Sequence, residues 1–283
     1  MEIKALDVKR LREKTGAGMM DCKKALQQSG GDFSKAEKIL KELGLAAAQK
    51  RAGRATGEGR VFSRAAERRG VLLELSCETD FVAKNKDFVA LGERLGDLLL
   101  DKGASAPREE LEAPIQEAIG RIKENMSLRR FGILETSDKE LLTSYIHGEG
   151  KIGVLVKLGV SDPAQRSNSK LQEVAFDLAL HTAAFAPQYL NREAVPEAYI
   201  KEQEEIFAKQ AEGLGKPEGI LKGITQGKLK KHLAEICFLD QGFVKDQGMS
   251  VSKVLENLGK EIGGSVRVVD YLYYKVGDEV EGS

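Results

Sequence analysis

An internal repeat constrains the fold of this chain more than any other feature of its sequence. The apolar segment at residues 70–75 recurs at residues 153–158, a shift of 83 positions. At the same shift the next segment keeps its apolar positions at helical spacing, with Phe88, Leu91 and Leu95 matched by Leu171, Val174 and Leu178. A unit that recurs within one chain usually folds the same way each time. The repeat therefore predicts two related modules, each with a strand followed by a helix.

Further strand-like segments surround the repeated one in both halves of the chain. Residues 61–62 lie upstream of the first copy, and residues 144–145 occupy the same positions before the second. Each half also closes with a strand-like run, at residues 128–134 and 266–274. Small antiparallel sheets packed on helices account for both halves. We therefore predict an α+β fold with two repeated α+β subdomains.

The N-terminal region reads as a bundle of three short helices, because apolar residues recur there at helical spacing between glycines. The first helix is predicted to end at Thr15–Gly16 and the second at Gly30–Gly31. Asp32 is expected to cap the third helix, and Gly44 is expected to stop it.

These patterns predict three parts of the chain. The helical bundle takes residues 1–54, the core N-subdomain residues 55–140 and the core C-subdomain residues 141–283. The C-subdomain contains two helical segments on either side of a Gly/Pro break at residues 213–217. They predict an inserted antiparallel helical hairpin at about 192–235, which projects from the body and is expected to contact a partner.

Composition excludes several classes of protein. The chain has 44 basic and 44 acidic residues, so no overall positive field attracts nucleic acid. Its apolar runs are far shorter than the ~20 residues of a membrane helix, and its charged N-terminus predicts no secretory leader. The three cysteines are far apart and in no metal-ligand spacing. We expect a cytoplasmic protein with reduced thiols, no membrane contact and no direct contact with nucleic acid.

One segment departs from this charge balance. Its basic residues outnumber the acidic Glu58 and Glu67, and they are Lys50, Arg51, Arg54, Arg60, Arg64, Arg68 and Arg69. The functional interpretation is a contact with RNA phosphates. The simpler interpretation, a solvated linker near residues 50–59 that leads into an edge strand, fits the balanced net charge better.

The sequence contains no pattern typical of an enzyme active site. No phosphate-binding loop of the Walker type is present, and the proline in residues 213–217 removes an N–H group that such a loop needs. Gly16 and Gly18 follow a predicted helix rather than a strand, so they indicate a turn. His181 and His232 lie in predicted helices without a carboxylate partner or metal-ligand spacing. We predict a protein that is not an enzyme, with no cofactor or metal of its own.

Residues 78–83 place an acid beside a large aromatic where a strand should give way to a helix. One interpretation is local, with Thr79 or Asp80 capping the helix while Phe81 packs inward. The repeat argues against it, because residues 161–164 occupy the same corner in the second half without an aromatic. We therefore predict that Asp80 and Phe81 are exposed and functional.

A second polar candidate is His147, which lies in a glycine-containing turn at residues 146–150. A plain turn residue is an equally good interpretation of this pattern.

Four segments resemble the bacterial elongation factor Ts family. Residues 11–26 are similar to the N-terminal signature of that family, and residues 78–85 are similar to its second signature. Residues 146–156 and 241–246 match further segments of the family in the same order. The resemblance runs in order from residue 6 to about residue 276, which spans nearly the whole chain.

This resemblance implies a guanine-nucleotide exchange factor that docks on elongation factor Tu, the GTPase that delivers aminoacyl-tRNA. It also implies an N-terminal ubiquitin-associated-like bundle, a two-subdomain core and a helical hairpin. In the family, the pair that matches Asp80 and Phe81 enters the GTPase near its Mg²⁺ and phosphate site. Thr79 and Val82 flank that pair in the matching motif, and the resemblance implies that they belong to the same partner-binding corner.

The resemblance implies further contacts with the partner. The N-terminal signature, which includes Arg12, Met19 and Met20, lies against the nucleotide domain of the GTPase in the family. His147 is expected near the partner as well. Methionines suit an adaptable apolar docking surface, but packing in the core of the bundle is an alternative for at least one of them.

The sequence also allows two other functions. The bundle is consistent with a ubiquitin-associated-type adaptor that binds proteins, although this role does not explain the repeated core. The Arg-rich segment is consistent with an RNA-binding translation factor, although the neutral net charge argues against it. A homodimer is also open, including one bridged by Cys22, Cys77 or Cys237.

Overall fold

A computed structural model of the protein describes residues 3–279 and begins with three helices. They are α1 (Ala5–Thr15), α2 (Met19–Gln28) and α3 (Phe33–Arg51). Gly16 ends α1 in the left-handed conformation, with a φ of 67°, which glycine adopts without steric cost. The Asp32 carboxylate caps α3 by accepting the Lys35 N–H at 3.0 Å. The predicted end of the first helix and the predicted cap of the third are confirmed.

The first repeat forms a three-stranded antiparallel sheet with helices on one face. The chain enters it through β1 (Glu58–Ala65) and β2 (Arg69–Cys77). It then forms α4 (Asp80–Ala83), α5 (Lys86–Lys102) and α6 (Arg108–Ile122) before returning as β3 (Met126–Glu135). The strand order is β1-β2-β3, and alternate side chains of β2 meet α5 and α6 in a buried apolar cluster.

The second repeat builds a sheet of the same kind. It begins with β4 (Glu140–His147), β5 (Ile152–Val160) and α7 (Ser169–Phe185). An antiparallel pair of helices follows, α8 (Glu197–Glu212) and α9 (Glu218–Ile236). The chain then forms a short hairpin of β6 (Gly242–Phe243) and β7 (Asp246–Ser250), α10 (Val251–Glu261) and β8 (Val266–Lys275). Since β8 pairs with β5, the order is β4-β5-β8.

The two sheets agree in detail as well as in strand order. A register shift falls between Glu74 and Leu75 of β2 and again between Lys157 and Leu158 of β5, 83 positions later. In both sheets the repeated segment is the central strand. The predicted α+β class and the two related sheets are therefore confirmed.

The glycine that opens each repeated segment lies where the two sheets pack together. A Cβ on Gly70 would lie 2.8 Å from Cδ2 of Leu155, and a Cβ on Gly153 would overlap Val61. Only glycine leaves room for such an approach of one sheet to the other. The two sheets consequently share a closely packed junction.

The prediction that Gly44 stops the third helix is wrong. α3 continues through Gly44 to Arg51. Gly44 lies against Gly120 of α6, and a Cβ on Gly120 would lie 3.0 Å from the Gly44 Cα. This close crossing offsets the poor helix propensity of glycine, about 1 kcal/mol. Through Ala48, α3 reaches the buried cluster of the first sheet.

α8 and α9 lie on either side of the Gly/Pro break identified in the sequence. The hydroxyl oxygen of Tyr199 on α8 lies 2.8 Å from Nε2 of His232 on α9, so this histidine joins the two helices. Ile206, Leu214 and Ile220 leave apolar surface exposed along the pair. Within residues 3–279, no helix has the length and apolar character needed to cross a membrane.

The three cysteines are buried, and burial raises the pKa of each thiol, that of Cys77 to about 12. The thiolate is the reactive form, so we expect the native protein at about pH 8 to resist iodoacetamide. In urea, Cys22, Cys77 and Cys237 should all be alkylated, and mass spectrometry of intact protein counts the adducts. Rapid modification of the folded chain would contradict this burial. A homodimer stays a prediction, but one bridged by these thiols is not expected between folded chains.

His181 is a fully buried residue of α7 in an aromatic environment. Its ring stacks on Phe238 with centroids 5.5 Å apart, and its Nε2–H donates to the Gln241 side-chain oxygen at 3.0 Å. Its Nδ1 is buried and has no partner among the described residues. Burial lowers the pKa of His181, so the folded protein keeps this ring neutral.

This buried histidine predicts a loss of stability in acid. Below the ordinary histidine pKa of about 6.5, the unfolded chain binds a proton that folded His181 does not. The free energy of unfolding should therefore fall with decreasing pH, by up to about 1.4 kcal/mol per unit from this residue. Urea unfolding at several pH values measures the slope, and His181→Gln should reduce it. An equal slope in both proteins would contradict the prediction.

Candidate partner-binding surface

The corner between β2 and α4 is built so that one side chain points away from the protein. We call residues 78–84 the Asp80–Phe81 corner. Thr79 is the N-cap of α4, and its Oγ1 accepts the Val82 N–H at 3.3 Å. Val82 and Ala83 are buried against the core, which fixes the orientation of this single helical turn. The cap predicted as either Thr79 or Asp80 is thus Thr79.

Phe81 is 82% exposed, so the interpretation that it packs inward is wrong. Successive residues of a helix point about a third of a turn apart, and the inward directions of α4 belong to Val82 and Ala83. Phe81 is left on the outer side. An exposed aromatic on a well-anchored corner contributes little to the folded state of its own chain and is typical of a contact surface.

The equivalent corner of the second repeat is constructed differently. We call residues 161–167 the twin corner. Asp162 caps a short 3₁₀ helix by accepting the Ala164 N–H at 2.9 Å, and the Gln165 side chain accepts the Asp162 N–H at 3.2 Å. This corner carries no aromatic residue and is stabilised entirely by its own neighbours. The exposed aromatic therefore distinguishes the first corner and is not a requirement of the repeated fold.

Two ion pairs lie near the Asp80–Phe81 corner. The Lys84 ammonium lies 3.0 Å from the Asp80 carboxylate, and hydrogen bonding to Lys84 lowers the pKa of Asp80. Lys151 pairs with Glu58 at 2.6 Å beside the same corner. Asp80 therefore stays ionised and carries its charge next to the exposed ring.

The turn with His147 lies at the same edge of the molecule. β4 ends at His147, and Nδ1 of that ring lies 3.0 Å from the hydroxyl oxygen of Tyr145. Glu149 in this turn lies 3.7 Å from Arg60 of β1, and the neighbouring Lys151 pairs with Glu58 of the same strand at 2.6 Å. The turn that follows His147 and the helix α4 therefore both pack against β1.

The N-terminal candidates are on the surface. Met19 is 51% exposed, Met20 is 62% exposed and Arg12 is also exposed. The alternative that one of the methionines packs in the core of the bundle is therefore wrong. Both lie in the first turn of α2 and expose apolar surface there.

A segment that the sequence patterns did not single out connects the bundle with the corner. Arg121, at the end of α6, packs beside Gly16, and Lys123 pairs with Asp21 of α2 at 3.4 Å. The next residue, Glu124, accepts two hydrogen bonds from Thr79. No motif marks these residues in the sequence, because their role depends on contacts across a separation of 45 to 105 positions.

Five of the seven basic side chains of the Arg-rich segment form ion pairs. Its pairs are Arg54 with Glu78, Arg60 with Glu149, Arg64 with Asp97, Arg68 with Asp138, and Arg69 with Glu135. This arrangement favours the solvated interpretation of the segment over a contact with RNA. Among residues 3–279, no group of histidine, cysteine and acidic side chains could hold a metal ion.

Comparison with known proteins matches this architecture to one family. The family model described as Elongation factor TS matches residues 78–278. An elongation factor Ts of Treponema denticola is 48% identical over 277 residues, which cover 98% of this chain and 99% of the relative. One of Borrelia garinii subsp. bavariensis is 50% identical over 272 residues, covering 96% of this chain and 98% of the relative. One of Borrelia hermsii is 48% identical over 278 residues, covering 98% and 100%. The chain belongs to the elongation factor Ts family and is a translation elongation factor.

Proposed function

We propose that this protein docks on the GTPase elongation factor Tu and accelerates the release of GDP through the Asp80–Phe81 corner. The observation that carries the proposal is the 82% exposure of Phe81 on a corner whose neighbouring residues are buried or hydrogen-bonded. Membership of the elongation factor Ts family supports the choice of partner. The protein acts on a GTPase and catalyses no chemical reaction of its own.

The energetic requirement on such a factor is severe. A nanomolar nucleotide complex is worth about 12 kcal/mol, so spontaneous release of GDP is slow. The factor must therefore bind the nucleotide-free GTPase more tightly than the loaded GTPase. By thermodynamic linkage, bound nucleotide then lowers the affinity of the GTPase for the factor by the same ratio. Tight docking alone is insufficient, because some contact has to be incompatible with bound nucleotide.

Phe81 and Asp80 are the residues that supply this incompatibility. The rigid, exposed ring of Phe81 inserts between elements of the partner and displaces those that position Mg²⁺. Loss of that ion removes charge neutralisation from the phosphates of GDP. The ionised Asp80 adds negative charge at the same place. We expect Phe81 to contribute most of the displacement and Asp80 to adjust it.

Docking is assigned to the other exposed candidates. Arg12, Met19 and Met20 form the N-terminal contact with the nucleotide domain of the partner, and His147 extends the contact from the second subdomain. Thr79 and Val82 hold the corner in place from below. This division separates residues that determine affinity from residues that determine the rate of release.

The division predicts a change of affinity without a change of maximal rate. Met19→Ala combined with Met20→Ala should raise the half-saturating concentration of the factor about tenfold, because an apolar contact patch is lost. The saturating rate of GDP release should stay near that of the unmodified protein. Titration of the factor in a GDP-release assay measures both quantities. An unchanged half-saturating concentration would remove these methionines from the interface.

The proposed function is tested by mixing the cognate GTPase, loaded with fluorescent GDP, with excess unlabelled GDP. The fluorescence decay is followed in a stopped-flow instrument with and without this protein. We expect the protein to accelerate release in a concentration-dependent and saturable manner. Equal decay rates in both mixtures would show that the protein is not an exchange factor for that GTPase.

A further inference from the structure

We infer that Glu124 is a positioning residue for nucleotide release, because it holds the Asp80–Phe81 corner in the orientation that presents Phe81. The inference rests on the proposed function and adds a residue that lies outside the corner. Glu124 does not follow from any helix or strand pattern, since it occupies the connection between α6 and β3. Its carboxylate nevertheless binds Thr79 of the corner.

Glu124 forms two hydrogen bonds with the residue that caps α4. Its Oε2 accepts the Thr79 N–H at 3.1 Å, and its Oε1 accepts the Thr79 hydroxyl at 2.8 Å. Because the Thr79 hydroxyl proton points at Glu124, a lone pair of the hydroxyl oxygen faces α4. That oxygen accepts the Val82 N–H at 3.3 Å. The carboxylate thus sets the orientation of the cap, and the cap sets the first turn of the helix.

A second hydrogen bond joins residues 78–79 to residues 124–125, with donor and acceptor exchanged between the two segments. The Glu78 carboxylate accepts the Asn125 N–H at 2.6 Å, while the Asn125 side chain donates to the Arg54 carbonyl at 2.8 Å. Residues 78–79 and residues 124–125 therefore bind each other reciprocally, each pair offering a carboxylate and a backbone N–H. Hydrogen bonds to charged acceptors are stronger than those between neutral groups.

The backbone just before Glu124 adopts an unusual conformation. Lys123 has a φ of 70° and a ψ of 20°, in the left-handed region that L-residues other than glycine seldom occupy. A residue held there costs stability unless the surrounding structure compensates. This turn ends α6 and directs the chain so that the Glu124 carboxylate faces Thr79.

Besides the cap, the corner is supported only at the far side of α4, by the buried side chains of Val82 and Ala83. α4 is a single turn, and an isolated turn of helix is unstable because nucleation is unfavourable. Phe81 is 82% exposed, so contacts with its own chain do not restrict the ring. Without Glu124 the cap loses both acceptors of its donor groups, and the ring samples a wider range of positions. Docking through the N-terminal bundle is unaffected, but fewer docked complexes place the ring correctly.

The expected result is a change of rate without a change of affinity. Glu124→Ala should lower the saturating rate of stimulated GDP release about tenfold, since small misplacements of an acting group have large effects on rate. The half-saturating concentration should change little. Glu124→Gln, which keeps one acceptor oxygen, should give an intermediate rate. Thermal unfolding of each variant establishes that the chain is folded at the assay temperature.

A double-mutant cycle with Thr79 separates positioning from a general loss of stability. If Glu124 acts through the cap, Glu124→Ala should have a much smaller effect in a Thr79→Val background. Gln165→Ala is the matched control, because it removes the equivalent acceptor from the twin corner. That variant should release GDP at the rate of the unmodified protein.

Phe81→Ala, measured in parallel, distinguishes failure of the inference from failure of the proposed function. If Phe81→Ala is impaired while Glu124→Ala releases GDP at the normal saturating rate, the inference is overturned and the proposed function stands. Additive effects of Glu124→Ala and Thr79→Val would also overturn the inference. If Phe81→Ala is itself fully active, the corner has no part in release and both fail.

Discussion

Replacement of Phe81 by alanine is expected to lower the stimulated rate of GDP release about 30-fold, because loss of a central aromatic anchor costs about 2 kcal/mol or more. The ring is 82% exposed, so its removal leaves almost no cavity in the folded protein. The free energy of unfolding should therefore hardly change. A large effect on release with a negligible effect on stability is the combination that a contact residue produces and a core residue does not.

The comparison requires release rates at saturating factor and urea unfolding curves for the same preparations. Phe131→Ala is a suitable control, since Phe131 is also exposed and belongs to the same subdomain, on the edge strand β3. It should leave release unchanged. Asp80→Asn should lower the rate less than Phe81→Ala, because the carboxylate is proposed to adjust the displacement. Equal release by Phe81→Ala and the unmodified protein would exclude the wedge mechanism.

Removal of the Glu74 carboxylate is expected to lower the free energy of unfolding by about 3 to 5 kcal/mol, the usual cost of breaking a buried ion pair. Glu74 is completely buried in β2, although it interrupts an apolar segment. Its Oε2 accepts a hydrogen bond from Nε of Arg130 at 2.7 Å, and its Oε1 accepts the Gly277 N–H at 3.0 Å. Arg130 in turn donates to the Lys275 carbonyl at 2.9 Å.

This cluster joins the end of β8 to the first sheet, so it connects the two subdomains. In Glu74→Ala the Arg130 guanidinium, which stacks 4.3 Å from the ring centroid of Tyr274, would lose its counterion in a partly buried position. An unpaired buried charge is costly because the protein interior solvates it poorly. The two subdomains should consequently separate more readily in the variant.

Urea unfolding followed by far-ultraviolet circular dichroism measures this effect. Asp138→Ala is the control, because Asp138 pairs with Arg68 at 2.6 Å where both side chains are mostly exposed, and such pairs contribute little. The double variant Glu74→Leu with Arg130→Met should recover part of the loss, since apolar replacements remove the unpaired charge. A loss no larger than that of Asp138→Ala would show that the cluster does not stabilise the junction.

The sequence predicted the sheets, the helical pair and the corner because their information is local or repeated. A recurring apolar segment followed by apolar residues at helical spacing predicts a strand and a helix in each half of the chain. The absence of an aromatic from residues 161–164 also indicated that the ring of Phe81 is not needed for packing. The wrong prediction that Gly44 ends the third helix has a non-local cause. A glycine that ends a helix and one that lets two helices cross look the same in sequence, and Gly120 distinguishes them only in the fold.

By itself, the sequence determined the α+β class, the placement of an acid and an aromatic at a strand-to-helix corner, and the resemblance to one family. These properties depend on the spacing of neighbouring residues. Only the tertiary structure decided that Glu74 is buried between the sheets, that Glu124 holds Thr79, and that the turn at residues 147–151 pairs with β1. Each of these depends on distances between residues far apart in the chain. Such distances are set when the two sheets pack together, and no local pattern records them.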